Sequence, residues 1–311
     1  MNPVERKPLI ILLAGPTAVG KTALSLDIAS RLGTEIVNAD SMQVYRYMDI
    51  GTAKPSQEER SRVAHHLLDV VDPDEPFDGS RFLELARPVV ERLHGEGKVP
   101  LVVGGTGLYM KILTRGICAG APGDGRIKEQ LFGEEREMGL AHLHGELSRV
   151  DPAAAGRIHA NDRQRILRAL EVFRLTGEPL SHWQEEHRFA ETHYRAVKIF
   201  LYRDRDEIYE QIDRRVDRMM EEGFPEEVGR LLQMGYGADL RPMQSLGYKQ
   251  LVQHIMGELS LEEAVTRIKR ETRHYAKRQM TWFRGDREFQ WMDARRGEEV
   301  IERIVNAVRE A

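Results

Sequence analysis

Apolar and polar positions along this chain of 311 residues fall into short hydrophobic runs separated by longer stretches of helical spacing. Leu9-Ile10-Ile11-Leu12-Leu13, Glu35-Ile36-Val37-Asn38-Ala39 and Val99-Pro100-Leu101-Val102-Val103 are strand-sized, and each ends in glycine or polar residues before a periodic segment begins. Helical spacing follows the first run from Ala23 to Ala29, and a second helix is expected from Ser56 to about Ala64. A third spans Ser80 to His94, with Phe82, Leu85, Val89 and Leu93 on one stripe and Pro88 as an interruption or kink. Strands alternating with helices predict an α/β fold with a parallel sheet core flanked by helices.

The pattern changes after Ile117. Gly120 to Gly125 reads as a linker, and helical periodicity runs through Arg126 to Val150 and Asp162 to Leu175. No convincing strand recurs until Ala196 to Tyr202, a run that could return to the sheet. The expected organisation is therefore a core of residues 1–117 and 196–311 with an inserted all-helical domain at 118–195, either a lid or an inert decoration. Beyond it, Asp206 to Glu222 predicts a helix with Ile208, Ile212, Val216 and Met219 or Met220 inward, followed by helices over Pro225 to Met234 and Leu261 to Trp282.

Between the first strand and its helix lies Gly15-Pro16-Thr17-Ala18-Val19-Gly20-Lys21-Thr22, a G-x-x-x-x-G-K-[ST] loop in the strand–loop–helix setting it requires. Its glycines let successive N–H groups and the helix N-terminus point at one anionic group. Lys21 adds a point charge, and Thr22 is placed to ligate a Mg²⁺ ion carried in by a pyrophosphate. Taken alone, the motif marks an ATP-type nucleotide-binding site, but it recognises linked phosphates whatever carries them. The second strand ends at Asp40, either a catalytic acid facing the crevice or an N-cap for the residues after it. The third ends in Gly104-Gly105-Thr106, where the strand of an ordinary ATPase carries a metal-binding acid. That absence weakens the generic ATPase reading, while the glycines permit close backbone approach and Thr106 offers a neutral hydroxyl.

Composition adds bounds. Hydrophobic residues make up 41% and charged residues 31% of the chain, as in an ordinary globular protein. No apolar stretch reaches membrane-spanning length and the first eight residues lack the apolar core of a signal peptide, so a cytoplasmic protein without a membrane partner is expected. Cys118, the one cysteine, excludes an internal disulfide and a cysteine-based zinc site, and reads as a small apolar filler. His65 and His66 diverge on any regular element and read as local hydrogen-bonding residues. The net charge of −4 conceals two basic stretches, Arg157 to Arg168 and Arg267 to Arg284. The second interleaves Tyr275, Trp282 and Phe283 with its cations. Each is either a solvated helix face or a surface for a polyanionic nucleic acid.

Several further motifs occur in a fixed order: Asn38-Ala39-Asp40-Ser41-Met42-Gln43-Val44-Tyr45, Met48-Asp49-Ile50-Gly51-Thr52-Ala53-Lys54-Pro55, Val103-Gly104-Gly105-Thr106-Gly107-Leu108-Tyr109, Asn161-Asp162-Arg163-Gln164-Arg165 with Arg168-Ala169-Leu170-Glu171-Val172, Gly247-Tyr248-Lys249, and Ala276-Lys277-Arg278-Gln279-Met280-Thr281-Trp282. Together with the phosphate loop they cover nearly the whole chain, and it resembles the bacterial tRNA dimethylallyltransferase (tRNA isopentenyltransferase) family. The resemblance implies a P-loop NTPase-like core with an inserted helical domain, the two gripping a tRNA anticodon stem-loop. It implies transfer of a dimethylallyl group from dimethylallyl pyrophosphate to the exocyclic amine of the adenosine 3′ of the anticodon, in tRNAs reading codons that begin with U.

By the same resemblance Gly15, Pro16, Thr17, Ala18, Val19, Gly20, Lys21 and Thr22 hold the donor pyrophosphate rather than ATP. Asp40 takes the amine proton, Thr106 touches both base and donor, and Arg215 contacts the pyrophosphate. A helix-surface salt bridge to Asp213 or Asp217 is the alternative for Arg215. The target base is extruded into a channel lined by Asp40, Ser41, Met42 and Gln43. Gln164, Arg165, Ile166, Leu167 and Arg168 lie against the tRNA, with Lys128 or Arg126 as a further contact, and Lys277 and Arg278 hold its phosphate backbone. A monomer is expected. The rival enzyme class is a P-loop small-molecule or nucleoside kinase; a second rival is an RNA-binding module with a nucleotide switch.

Overall fold

The computed structural model describes residues 7–117, 124–187 and 192–311. Cys118, the first part of the Gly120 to Gly125 linker and the first six residues lie outside them. Two compact units form, one of Met1–Thr114 with His193–Ala311 and one of Arg115–Thr192.

In the first unit six strands, β1 (Leu9–Ala14), β2 (Ile36–Asn38), β3 (His65–His66), β4 (Leu101–Gly104), β5 (Arg195–Tyr202) and β6 (Gln290–Asp293), form one sheet in the order β3-β2-β4-β1-β5-β6. Every pairing is parallel. Such a sheet is covered on both faces, which is why β1 reads as a continuous apolar run with Ile10 to Ala14 fully buried. The helices of this unit are α1 (Lys21–Leu32), α2 (Gln57–Arg62), α3 (Gly79–Gly95) and α4 (Gly107–Arg115) before the insertion. The second unit holds α5 (Gly125–Met138), α6 (Leu140–Val150), α7 (Pro152–Ala155), α8 (Arg163–Thr176) and α9 (Leu180–His187). The chain then returns to the first unit with α10 (Arg205–Glu221), α11 (Phe224–Gln233), α12 (Tyr248–Ile255), α13 (Leu261–Arg284) and α14 (Gly297–Arg309).

Two local expectations shift. In α3 the buried stripe is Phe82, Ala86, Val90 and Leu93, while Leu85 and Val89 are half-exposed and Pro88 sits on the outer face of an unbroken helix. The strand β6 lies beyond the last helix expected from the sequence, where no strand was foreseen; it is four residues long and pairs at the sheet edge with β5. His65 and His66 are hydrogen-bonding residues, but only the first is local: His65 Nδ1 lies 2.8 Å from the Val63 carbonyl, whereas His66 Nε2 lies 2.6 Å from Glu35, 31 positions away.

The helical unit has its own core of Leu131, Leu143, Leu147, Ala154, Ile166, Leu167 and Leu170. Ile166 and Leu167, expected against tRNA, are 0% and 8% exposed there, so their side chains hold α8 in place instead. Their neighbours Gln164, Arg165 and Arg168 alternate outward because the helical period separates them from the stripe. Among the described residues no helix is long and apolar enough to cross a membrane.

Candidate active site

Because all strands run the same way, the loops after β1, β2 and β4 emerge at one edge of the sheet. This brings Gly15 to Thr22, Asp40 to Gln43 and Gly105-Thr106 together. A cavity of about 1380 Å³ opens there, lined by Thr17 to Thr22, Asp40 to Gln43, Arg215, Tyr275 and Arg278 among others.

The phosphate loop is held from both ends of the chain. Ala18 takes a left-handed conformation at φ 65°, and α1 opens at Gly20 without a side-chain cap, leaving its first N–H groups for an anion. Gln279 of α13, 6% exposed, accepts a hydrogen bond from Thr17 N at 2.9 Å and donates to Gly105 O at 3.1 Å. A Cβ on Gly105 would lie 2.1 Å from that amide nitrogen, so only glycine admits the brace. Lys21 Nζ donates to Gly15 O and Pro16 O at 2.8 Å each. Burial and the nearby Arg215 push Lys21 down to about 7, with Asp40 pulling the other way.

A bound pyrophosphate would restore the Lys21 charge and raise its pKa again. The affinity for a pyrophosphate should therefore be complete below pH 7 and fall by up to tenfold per pH unit above it. Calorimetry at pH 8 in buffers of different ionisation enthalpy should register proton uptake on pyrophosphate binding, and Lys21→Arg should abolish it.

Asp40 caps a turn rather than a helix: Oδ1 accepts from Met42 N at 2.8 Å and Gln43 N at 3.4 Å. Thr106 is outside the cavity lining, and its hydroxyl accepts from Ser41 N at 3.2 Å, tying the β4 loop to the Asp40 loop. Arg215 makes no ion pair among the described residues. Its expected alternative partners are engaged by α13, Asp213 by Arg273 and Asp217 by Lys269 at 2.5 Å. Its guanidinium instead reaches Thr17 Oγ1 at 3.5 Å, and burial lowers its pKa while Asp40 opposes the shift.

Arg278 faces the cavity and lies 5.8 Å from the Tyr275 ring centroid, while Lys277 is exposed on the same helix. In the helical unit the nearly inaccessible Glu171 organises the basic surface. It accepts from Arg168 at 2.7 Å and Asp124 N at 3.1 Å, and lies 3.7 Å from Lys128 Nζ. Arg126 pairs with Asp124 at 3.4 Å and Arg165 with Asp162 at 3.4 Å.

Two organising side chains had no role assigned from sequence. Gln279 sits inside a recognised motif, with no local sign that its amide spans two loops. Glu227 carried a usable signal, since Phe224, Glu227, Val228 and Leu231 occupy i, i+3, i+4 and i+7 of the buried face of α11. An acid on an apolar stripe calls for a buried partner.

Residues 43–286 match the model of the IPP transferase family, and residues 8–70 match that of isopentenyl transferases. The tRNA dimethylallyltransferase of Syntrophobacter fumaroxidans is 60% identical over 296 residues, covering 95% of this chain and 86% of that protein. That of Geobacter metallireducens is 53% identical over 289 residues, covering 93% and 94%. Among solved structures, the full-length tRNA isopentenylpyrophosphate transferase of Bacillus halodurans superposes with a TM-score of 0.72 at 39% identity over 98% of each chain. A eukaryotic dimethylallyltransferase described as acting on tRNA gives 0.77 at 29% identity, over 92% of this chain and 74% of that one. These relatives are prenyltransferases, which supports that reading over the kinase. The similarity runs through the P-loop core and both flanks of the insertion, and the chain belongs to the IPP transferase family, among the bacterial tRNA dimethylallyltransferases.

Proposed function

We propose that the cavity joins dimethylallyl pyrophosphate to the exocyclic amine of the adenosine 3′ of the anticodon in tRNAs reading U-initial codons, releasing pyrophosphate. The observation that carries this reading is the meeting of an anion-binding loop and Arg215 with the Asp40 carboxylate in one cavity. The allylic carbon–oxygen bond breaks with its electron pair going to pyrophosphate, the amine nitrogen bonds to the freed carbon, and its proton goes to Asp40. An adenine amine is a weak nucleophile because its lone pair is delocalised, so orientation and proton removal matter as much as leaving-group stabilisation. Ser41 to Gln43 line the place for an extruded base, and Thr106 fixes that loop.

Lys21, Arg215 and the loop N–H groups meet the pyrophosphate. The described residues contain no cluster of three His, Cys, Asp or Glu that could hold a metal. The Thr22 hydroxyl, however, suits the hard-oxygen chemistry of Mg²⁺, which phosphate oxygens and water would complete. When bound, the ion neutralises charge on the departing pyrophosphate.

Incubation with donor, Mg²⁺ and total tRNA, followed by mass spectrometry of the nucleosides, should reveal a dimethylallyl adenosine. Phosphate transfer from labelled ATP with no modified nucleoside would refute the reading. The tRNA backbone is assigned to Lys277 and Arg278 together with Lys128, Gln164, Arg165 and Arg168. Replacing Lys277 and Arg278 by alanine should make the slope of log affinity against log salt shallower by about 1.5.

A further inference from the structure

Glu227 is 2% exposed, and its carboxylate accepts four hydrogen bonds. Asp49 N, Ile50 N and Gly51 N donate at 2.9, 2.8 and 3.1 Å, and the buried Tyr248 hydroxyl donates at 2.7 Å. Three consecutive N–H groups converging on one anion is the arrangement by which loops capture phosphate. Here the anion is the protein's own, delivered by α11.

The seat is tight. A Cβ on Gly51 would lie 2.2 Å from the Phe224 ring and 2.6 Å from that of Tyr248, so the backbone rests directly on α11 and α12. A carboxylate so deeply buried is tolerated only while its hydrogen bonds replace lost water.

The next residues pass this constraint onward. Thr52 O and Ala53 O accept from Gln43 Nε2 at 3.1 and 3.0 Å. The Gln43 backbone N–H in turn reaches Asp40 Oδ1 at 3.4 Å. At the far end Lys54 Nζ closes the loop on its own Asp49 and pins it to Asp69, at 2.6 Å each, and to Tyr45 O at 2.7 Å. A continuous path thus runs from α11 through Asp49–Ala53 and Gln43 to the carboxylate assigned the proton.

We propose that Glu227 is a positioning residue for the transfer reaction. It fixes the Asp49–Ala53 loop and, through Gln43, sets the orientation of Asp40 toward the target amine. This inference rests on the assignment of Asp40 made above. The phosphate loop shares no hydrogen bond with this path among the described residues, so disturbing Glu227 should slow the chemical step and spare donor binding.

The test is steady-state and single-turnover kinetics of Glu227→Gln, Gln43→Ala, the double variant and Tyr248→Phe, each below its own unfolding transition. Glutamine presents an NH₂ group where an acceptor is needed. The expected result is a kcat lowered about tenfold to a hundredfold with donor KM within about twofold, and a milder fall of about threefold for Tyr248→Phe. Because Glu227→Gln and Gln43→Ala break one path, the double variant should turn over within about twofold of the slower single one. Multiplying losses, an unchanged kcat in Glu227→Gln, or a donor KM rising in step with the loss of kcat would overturn the proposal. Should Glu227→Gln not fold, Tyr248→Phe combined with Gln43→Ala applies the same criterion. Full activity in Asp40→Asn would instead overturn the Asp40 assignment, whatever Glu227 does.

Discussion

Asp40→Asn is expected to lower single-turnover transfer to tRNA by about 10²- to 10⁴-fold, the range that general-base catalysis contributes. Asparagine is the informative replacement because it can keep the turn: its carbonyl oxygen can accept from Met42 N and Gln43 N as Asp40 Oδ1 does. The loop should therefore stay in place, and tRNA and donor affinities should change little. What is lost is the basic second oxygen, which has no hydrogen-bond partner among the described residues and belongs to a side chain lining the cavity. Turnover within tenfold of the parent enzyme at saturating tRNA and donor would remove Asp40 from the proton-transfer role.

Arg215→Gln should lower kcat/KM for the donor by about 10²- to 10³-fold, the cost of deleting one preorganised contact to developing charge. Stability should move the other way. The guanidinium is buried deeply enough to depress its pKa, and its one hydrogen bond among the described residues is the 3.5 Å contact to Thr17 Oγ1. The cost of burying this charge outweighs the opposing pull of Asp40, so removing it should leave Tm unchanged or raise it. Separate KM values for donor and tRNA, with a thermal melt, check both halves. Equal loss of both affinities, or a lower Tm, would indicate a structural arginine.

The difference between what the sequence disclosed and what it hid follows from interaction range. The phosphate loop was legible because strand, turn and helix signals lie within about two dozen residues and each is local. The parallel core followed from the same logic. In contrast β6 is four residues long and depends on β5 for its hydrogen bonds, so its own propensities could not announce it.

Choices between partners were equally invisible. Asp213 lies two residues from Arg215 in the chain yet pairs with Arg273, 60 positions away. Ile166 and Leu167 fell inside a recognised tRNA-contacting segment, but a contiguous run on a helix must place some members inward. Glu227 shows the converse, an acid whose spacing matched a core position while its residue type suggested the surface.

The brace between Thr17 and Gln279 joins residues 262 positions apart. A nascent polypeptide therefore exposes its phosphate loop early in synthesis and receives the crosspiece that steadies it only once α13 has left the ribosome. Until then β1 also lacks β5, its neighbour on one side. Chains released before Gln279 would carry the Gly15–Thr22 signature without a finished cradle.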